Sequence, residues 1–135
     1  MRAFREAVEA GDMDAVEALL AEDVVFTSPV VFKPYPGKAI TAAVLRAVST
    51  VFQDFRYDRE LAGHDGPDHA LVFTARVGDR ELTGCDFIRL NEDGLIAELM
   101  VMVRPLSGSQ ALAAEMGARF DEIVKEAEAR SAATS

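Results

Sequence analysis

The chain has 135 residues, half of them hydrophobic, so it can form one domain with a single core that needs no metal or disulfide. Its net charge of -9 argues against nucleic acid or an anionic membrane surface as a partner, because both bind basic patches. One cysteine, no apolar signal segment at the start and no apolar run of roughly 20 residues predict a cytoplasmic protein that does not span a membrane. Cys/His pairs at metal spacing and glycine-rich phosphate loops are absent, so we expect no metal and no cofactor.

Two short helices are predicted at the start of the chain. Apolar residues three and four apart define the first helix, which Gly11 ends, and Asp12 is placed to cap the next. The second helix is predicted to extend to Asp23, because four apolar residues share one of its faces: Met13, Val16, Leu19 and Leu20.

A strand, a stiff loop and a third helix follow. Val24–Thr27 predicts a short strand that Ser28-Pro29 ends, since proline cannot donate to a sheet. Two prolines stiffen the loop Phe32–Gly37. The third helix is predicted to reach about Asp54, from apolar positions at helical spacing: Ile40, Val44, Val48, Val51 and Phe52.

Four strands are predicted in the middle of the chain, over residues 55–61, 70–77, 81–90 and 95–103. The turns between them are short: residues 64–69, which contain both histidines, then Gly78-Asp79 and Asn91–Gly94. Short turns between sequential strands predict an antiparallel meander.

One long helix is predicted at the end. Ser107 and Gln110 fit a capping box that would start it, and five residues form its apolar stripe: Leu112, Met116, Phe120, Ile123 and Val124. The small and polar residues 131–135 predict a frayed tail, so a single domain is expected over residues 1–130.

Asp86 is the one ionisable residue well inside the third strand of the meander. The two-residue period of a strand places it on the same face as Gly84 and apolar neighbours, where an anion is costly to bury. We interpret Asp86 as a candidate catalytic acid or hydrogen-bond donor in a pocket; the alternatives are a buried acid satisfied by a helix residue or water, and an acid at the pocket mouth. The candidate ligand-binding residues around it are Ser28, Tyr57, Leu71, Phe73, Leu82, Ile88, Leu99, Val101 and Val103.

The opposite face of the same strands mixes apolar residues with both signs of charge. It carries Phe87, Arg89, Met100, Met102 and Arg104. This composition predicts the seam of a homodimer, and the alternative is that the last helix covers the face.

The order of elements, together with the motif Asp-x-x-x-(apolar)-Asn-Glu-x-Gly-x-Ile from Asp86 to Ile96, resembles the nuclear transport factor 2-like superfamily. The chain is similar to its SnoaL-like members, with further matches at Gly11-Asp12, Asp23–Val25 and Pro36–Lys38. The resemblance implies an α+β fold, in which N-terminal helices close a cone of curved antiparallel sheet and an additional helix follows at the C-terminus. It also implies that the concave side holds a small apolar ligand or substrate.

The resemblance extends to ketosteroid isomerases, in which an aspartate at the place of Asp86 stays protonated and hydrogen-bonds the developing oxyanion. The catalytic base of those enzymes would fall on Ser28, and an unassisted serine hydroxyl cannot take a proton from carbon near neutral pH. The tyrosines of their hydroxyl network would fall on Phe4, Leu20 and Leu45. These departures argue against steroid isomerisation by that mechanism.

Three functions remain open from the sequence. We favour a protein that binds a small apolar metabolite in the cone. The first alternative is a small-molecule isomerase, cyclase or dehydratase that uses Asp86 as acid or oxyanion donor. The second is a dimerisation module whose cone is filled by Phe26, Phe55 and the last helix. The volume of the cavity separates the last function from the other two.

Overall fold

The computed structural model describes residues 1–62 and 66–134; positions 63–65 and 135, which include the start of the predicted 64–69 turn, lie outside the described residues. The elements run in the order α1 Arg2–Ala10, α2 Met13–Ala18, β1 Leu20–Thr27, β2 Tyr35–Pro36, α3 Lys38–Val51, β3 Gln53–Ala62, β4 Asp68–Val77, β5 Arg80–Leu90, β6 Ile96–Arg104, α4 Leu106–Ala118 and α5 Phe120–Thr134. None of these helices is long and apolar enough to cross a membrane.

The strands form one curved sheet in the order β2-β1-β6-β5-β4-β3. Strands β3 to β6 pair antiparallel in sequence order, which confirms the predicted meander. Strand β1 adds to it in parallel beside β6, and the two-residue strand β2, predicted as part of a loop, pairs with β1 at the edge. Register shifts within β3 and between β5 and β6 increase the twist of the sheet.

The turn between β5 and β6 forms as its residues predict. The side-chain oxygen of Asn91 accepts hydrogen bonds from the backbone N–H groups of Asp93 and Leu95, at 2.9 and 3.0 Å. Gly94 has a φ of 79°, a left-handed conformation that favours glycine. The turn therefore fixes the register of the two strands on which Asp86 and its neighbours lie.

The first two helices differ from the prediction in one respect. Gly11 ends α1 in the left-handed conformation, and Asp12 caps α2 through Ala15 N–H at 3.1 Å, as expected. The prediction that α2 reaches Asp23 is wrong, because β1 already begins at Leu20. The backbone there pairs with Ile96, which donates to the Leu19 carbonyl at 2.8 Å, and this sheet contact replaces the next helical turn.

The C-terminal region holds two helices where one was predicted, because the helical conformation is interrupted at Arg119, between α4 and α5. The predicted capping box is also wrong: α4 starts after Pro105, no side chain caps it, and Ser109 Oγ donates instead to the Val103 carbonyl at 3.1 Å. Helix α5 continues through Thr134, where the sequence predicted a frayed tail. Arg130 ties it to Glu17 on α2.

Helix α4 packs on the concave side of the sheet, and α5 packs on α3 and α4. Gly108 of α4 lies against Leu82 on the inner face of β5. The outer face keeps Phe87, Met100 and Met102 between 36% and 52% exposed. The alternative in which the last helix covers that face is therefore wrong.

Candidate functional site

A cavity of about 610 Å³ lies between the inner face of the sheet and the helices. Its walls are mainly apolar and come from helices α1 to α5, strands β1 to β6 and the loop after β1. Phe26 and Phe55 lie on its walls and leave the space between them open. The filled-cone alternative is therefore wrong, and the volume falls within the range of ligand pockets.

The polar centre of the cavity is a pair formed by Asp86 of β5 and Tyr57 of β3. The Tyr57 hydroxyl donates to Asp86 Oδ2 across 2.6 Å, and the two residues are 5% and 8% exposed respectively. The Asp86 carboxyl makes no second hydrogen bond within residues 1–62 and 66–134. It therefore retains acceptor capacity toward the cavity.

Burial controls the protonation of this pair. Desolvation raises the pKa of Asp86 to about 6, although the hydrogen bond from Tyr57 acts in the opposite direction. Burial, followed by the nearby Asp86 charge, raises the pKa of Tyr57 far above its usual range. Tyr57 therefore keeps its proton and donates it, while Asp86 changes charge just below neutral pH.

Three aromatic residues pack beside the pair on the cavity wall: Phe52, Phe55 and Phe73. The Phe55 ring meets the Tyr57 ring edge-on and stacks on Phe73, with 4.9 Å between centroids in both contacts. Gly84 permits this arrangement, because a Cβ there would lie 2.2 Å from Phe73 Cζ. Because Gly84 has no side chain, the Phe73 ring can lie over the backbone of β5.

The structure brings together some of the sequence-predicted site residues and separates others. Those that line the cavity with Asp86 are Ser28, Tyr57, Phe73, Leu99 and Val101. Those that do not line it are Leu71, Leu82, Ile88 and Val103. The strand residues among them share the inner face, but only the middle of that face borders the cavity. Helix α4 packs directly on Leu82, and Leu71 and Ile88 are fully buried core residues.

Ser28 lies at the end of β1, where its Oγ accepts a hydrogen bond from the Val30 N–H at 3.1 Å. This short-range contact shapes the loop that borders the cavity. Ser28 therefore has a structural role that the sequence comparison with a catalytic base did not anticipate.

Sequence reasoning missed one acid at the cavity. Glu9 of α1 lines it, and its carboxylate pairs with Arg5 at 3.4 Å, one helical turn away. The spacing of Arg5 and Glu9 predicts their ion pair, but their position relative to the cavity depends on how α1 packs against the sheet. The apolar helical walls, such as Val48 and Met116, were missed for the same reason.

The chemistry available in the cavity is limited to these groups. No Lys, Arg or His among the described residues lines it. In the same part of the chain, no group of three or more His, Cys, Asp and Glu side chains is placed to hold a metal ion. The arrangement can hold an apolar molecule, offer it a carboxyl group, and exchange one proton with it.

Residues 1–99 match the family model of the SnoaL-like domain. The chain belongs to this family. A steroid delta-isomerase from Pseudomonas aeruginosa is 45% identical, with 90% of this chain and 89% of that one covered and a TM-score of 0.84. These matches confirm the predicted family and the α+β cone.

Two further structures are similar to this SnoaL-like protein. An uncharacterized protein with a cystatin-like fold from Silicibacter pomeroyi DSS-3 is 40% identical over 94% of this chain and 91% of that one, with a TM-score of 0.86. A nuclear transport factor 2-like protein from Burkholderia xenovorans LB400 shares only the fold, at 21% identity over 82% and 90% of the chains and a TM-score of 0.63. A search of the curated proteins finds no match.

Proposed function

We propose that this SnoaL-like protein binds a small, mainly apolar molecule in the cone and holds its one polar group at Asp86 and Tyr57. The observation that carries the proposal is the open cavity of about 610 Å³, in which the buried Asp86 carboxyl accepts a hydrogen bond from Tyr57 among aromatic rings. Burial of ligand hydrocarbon supplies affinity in such a site, and the few polar groups fix orientation.

Filling the cavity tests this function directly. Ala113 on α4 lines the cavity, whereas the adjacent Ala114 is exposed. We expect the neutral fluorescent probe N-phenylnaphthylamine to bind the unmodified protein and Ala114→Trp, and to lose binding in Ala113→Trp. The measurement is fluorescence titration, with circular dichroism to confirm that both variants are folded. Equal binding by folded Ala113→Trp would place the probe elsewhere and contradict the proposal.

A second candidate function is that of an isomerase, cyclase or dehydratase with Asp86 as acid or oxyanion donor. The burial that raises the pKa of Asp86 to about 6 favours it, because the carboxyl is then neutral and able to donate below that pH. The similarity to a steroid delta-isomerase also supports it, although Ser28 stands where the base would fall. Turnover of any substrate found should fall as pH rises through about 6 and be lost in Asp86→Asn. Turnover that survives the substitution would exclude this role.

We also propose that two copies associate through the outer face of the sheet. Phe87, Met100 and Met102 are exposed there, and Arg89 lies between Asp68 and Glu98 at 2.8 and 3.6 Å. Apolar area ringed by charges of both signs can pair with itself about a two-fold axis. Arg104 lies beside Met102 at the end of β6. Light scattering should give twice the mass of one chain, and Met102→Glu should halve it; a monomeric parent protein would overturn the proposal.

A cytoplasmic location is proposed on the chemistry of Cys85. Cys85 is the one cysteine of the chain and is a half-buried free thiol, and thiols stay unpaired in reducing compartments. Cell fractionation tests the proposal, and recovery of the protein outside the cytoplasm would contradict it.

A further inference from the structure

We propose that the ligand of this cavity is a hydrophobic amine, bound as its ammonium form between the Asp86 carboxylate and the aromatic rings beside it. The inference rests on the proposed binding function and names the class of molecule. Three independent features of the cavity support it: the balance of charge, the free acceptor capacity of Asp86, and the position of the rings.

The balance of charge favours a cation. The described lining carries two acids, Asp86 and Glu9, and no basic side chain. Arg5 pairs with Glu9 at 3.4 Å, whereas no cation lies within ion-pair distance of Asp86 in the described residues. The two carboxylates would repel an anionic ligand. A neutral hydrocarbon would bury the Asp86 carboxylate further without supplying an opposite charge. An ammonium supplies the missing opposite charge.

The hydrogen bonding of Asp86 leaves room for a donor. Oδ2 accepts from Tyr57 at 2.6 Å, and this bond stabilises the ionised form of the carboxyl. A carboxylate can accept several more hydrogen bonds, and an ammonium group offers up to three N–H donors. Charge-assisted bonds of this kind are stronger than those between neutral groups, especially where water is excluded. Tyr57 thus prepares Asp86 to accept from a cationic donor.

The rings complete the site. Phe55, Tyr57 and Phe73 line the cavity, with 4.9 Å between the Phe55 centroid and each of its two neighbours. Aromatic faces carry negative electrostatic potential and attract a cation placed over them. Tyr57 belongs both to this cluster and to the pair with Asp86, so the carboxylate and the rings act on the same region of the cavity. The remaining wall is apolar and fits the hydrocarbon body of the ligand.

A series of ligands with one skeleton and three charges tests the inference. Naphthylmethylamine, naphthylmethanol and naphthoate are cationic, neutral and anionic at about pH 7.5, since alkylamines of this kind titrate well above that pH and carboxylates below it. Isothermal titration calorimetry with the full chain should show the amine binding about tenfold tighter than the alcohol, and the carboxylate weakest. Alcohol or carboxylate binding as tightly as the amine overturns the inference.

Variants then locate the preference. Asp86→Asn should weaken amine binding about tenfold and change alcohol binding by less than about twofold. Phe55→Leu, which keeps the site apolar, should weaken amine binding more than alcohol binding. Glu60→Gln is the matched control: it removes the same charge from an exposed position on β3 and should leave both affinities unchanged. An unchanged amine preference in Asp86→Asn overturns the inference.

The failures of the two proposals are distinguishable. If N-phenylnaphthylamine binds in the cavity but the affinities of the three naphthalene ligands do not follow the expected order, the binding function stands and the inference of an amine ligand is overturned. If the probe and the whole series fail to bind the parent protein, both proposals fall. The charge series on the parent protein decides the question even if Asp86→Asn does not fold.

Discussion

Side chains of the same type have different surroundings on the two faces of the sheet. On the inner face, Asp86 is 8% exposed, has one neutral hydrogen-bond partner, and burial raises its pKa to about 6. On the outer face, Arg89 donates two hydrogen bonds to Asp68, at 2.8 and 3.2 Å, and lowers the pKa of that exposed carboxyl. On the outer face, the Asp68 carboxylate forms an ion pair with Arg89, whereas on the inner face the Asp86 carboxyl has only the neutral Tyr57 hydroxyl as a partner. An acid without a counter-charge is costly to bury, and this cost is the reason we propose that Asp86 contacts the bound molecule.

Aromatic residues show the same contrast on neighbouring strands. Phe73 on the inner face of β4 is 1% exposed, and Phe87 on the outer face of β5 is 39% exposed. The largest effect is expected from Phe73→Ala, which should lower the free energy of unfolding by about 4 kcal/mol, as a buried phenylalanine does when it is truncated. Phe87→Ala is the control and should cost about 1 kcal/mol or less in the monomer, because much of the ring is already exposed.

Urea unfolding followed by circular dichroism measures both variants. The protein concentrations must be matched, since a dimer through the outer face would add a concentration-dependent loss to Phe87→Ala. Equal losses at the lowest concentration would show that the outer face is as buried as the inner one in a single chain. The contrast between the faces would then be lost.

The next effect is a pH dependence that Asp86 imposes on stability. The pKa of Asp86 is about 6 in the folded state against 3.8 for a solvent-exposed aspartate, as in the unfolded chain, so the folded state binds more protons between these pH values. The free energy of unfolding should therefore fall as pH rises from about 4 to about 6, and remain lower above that, by up to about 3 kcal/mol. Asp86→Asn removes this loss and should be more stable than the parent protein at alkaline pH.

Unfolding measured between acid and alkaline pH checks the sign. Asp68→Asn is the control: the pKa of this carboxyl is shifted in the opposite direction, to lower values, but water and salt screen the exposed charge, so it contributes little to stability. Asp86→Asn should thus remove the loss of stability between about pH 4 and about pH 6, whereas Asp68→Asn should leave that loss in place. If Asp86→Asn destabilises the protein equally at every pH, the hydrogen bond from Tyr57 outweighs the burial of charge.

The sequence predicts the sheet better than the site, and the reason lies in the range of the interactions. The meander follows from local alternation and from turns such as Asn91–Gly94, whose hydrogen bonds span four residues. The end of α2 cannot be predicted from local patterns, because it is set by the pairing of Leu20 with Ile96, which is far away in the sequence. Strand parity places Leu82 and Asp86 on one face, but only the position of α4 decides that Leu82 is covered and Asp86 faces the cavity.

The third effect concerns the space that Gly84 leaves for Phe73. A Cβ at this position would lie 2.2 Å from the ring, so Gly84→Ala must push Phe73 toward the cavity. We expect a loss of about 2 kcal/mol in the free energy of unfolding, as is usual for overpacking, together with weaker binding of N-phenylnaphthylamine. In the control Gly117→Ala, the added Cβ meets nothing within 4 Å, and stability should not fall. Unchanged stability and unchanged probe binding in Gly84→Ala would show that the Phe73 ring can move away from the added Cβ without entering the cavity.

The smallest effect is expected on the outer face, from Asp68→Asn at neutral pH. The side chains of Asp68 and Arg89 are 62% and 56% exposed, so water already solvates both charges and salt screens them. Urea unfolding at low protein concentration should show no resolvable loss, in contrast to the inner-face substitutions. A loss that appears only as the protein concentration rises would mean that association removes water from this ion pair. In that case the exposed carboxyl of one chain becomes a buried one in the dimer, and the difference between the two faces holds only for the separate chains.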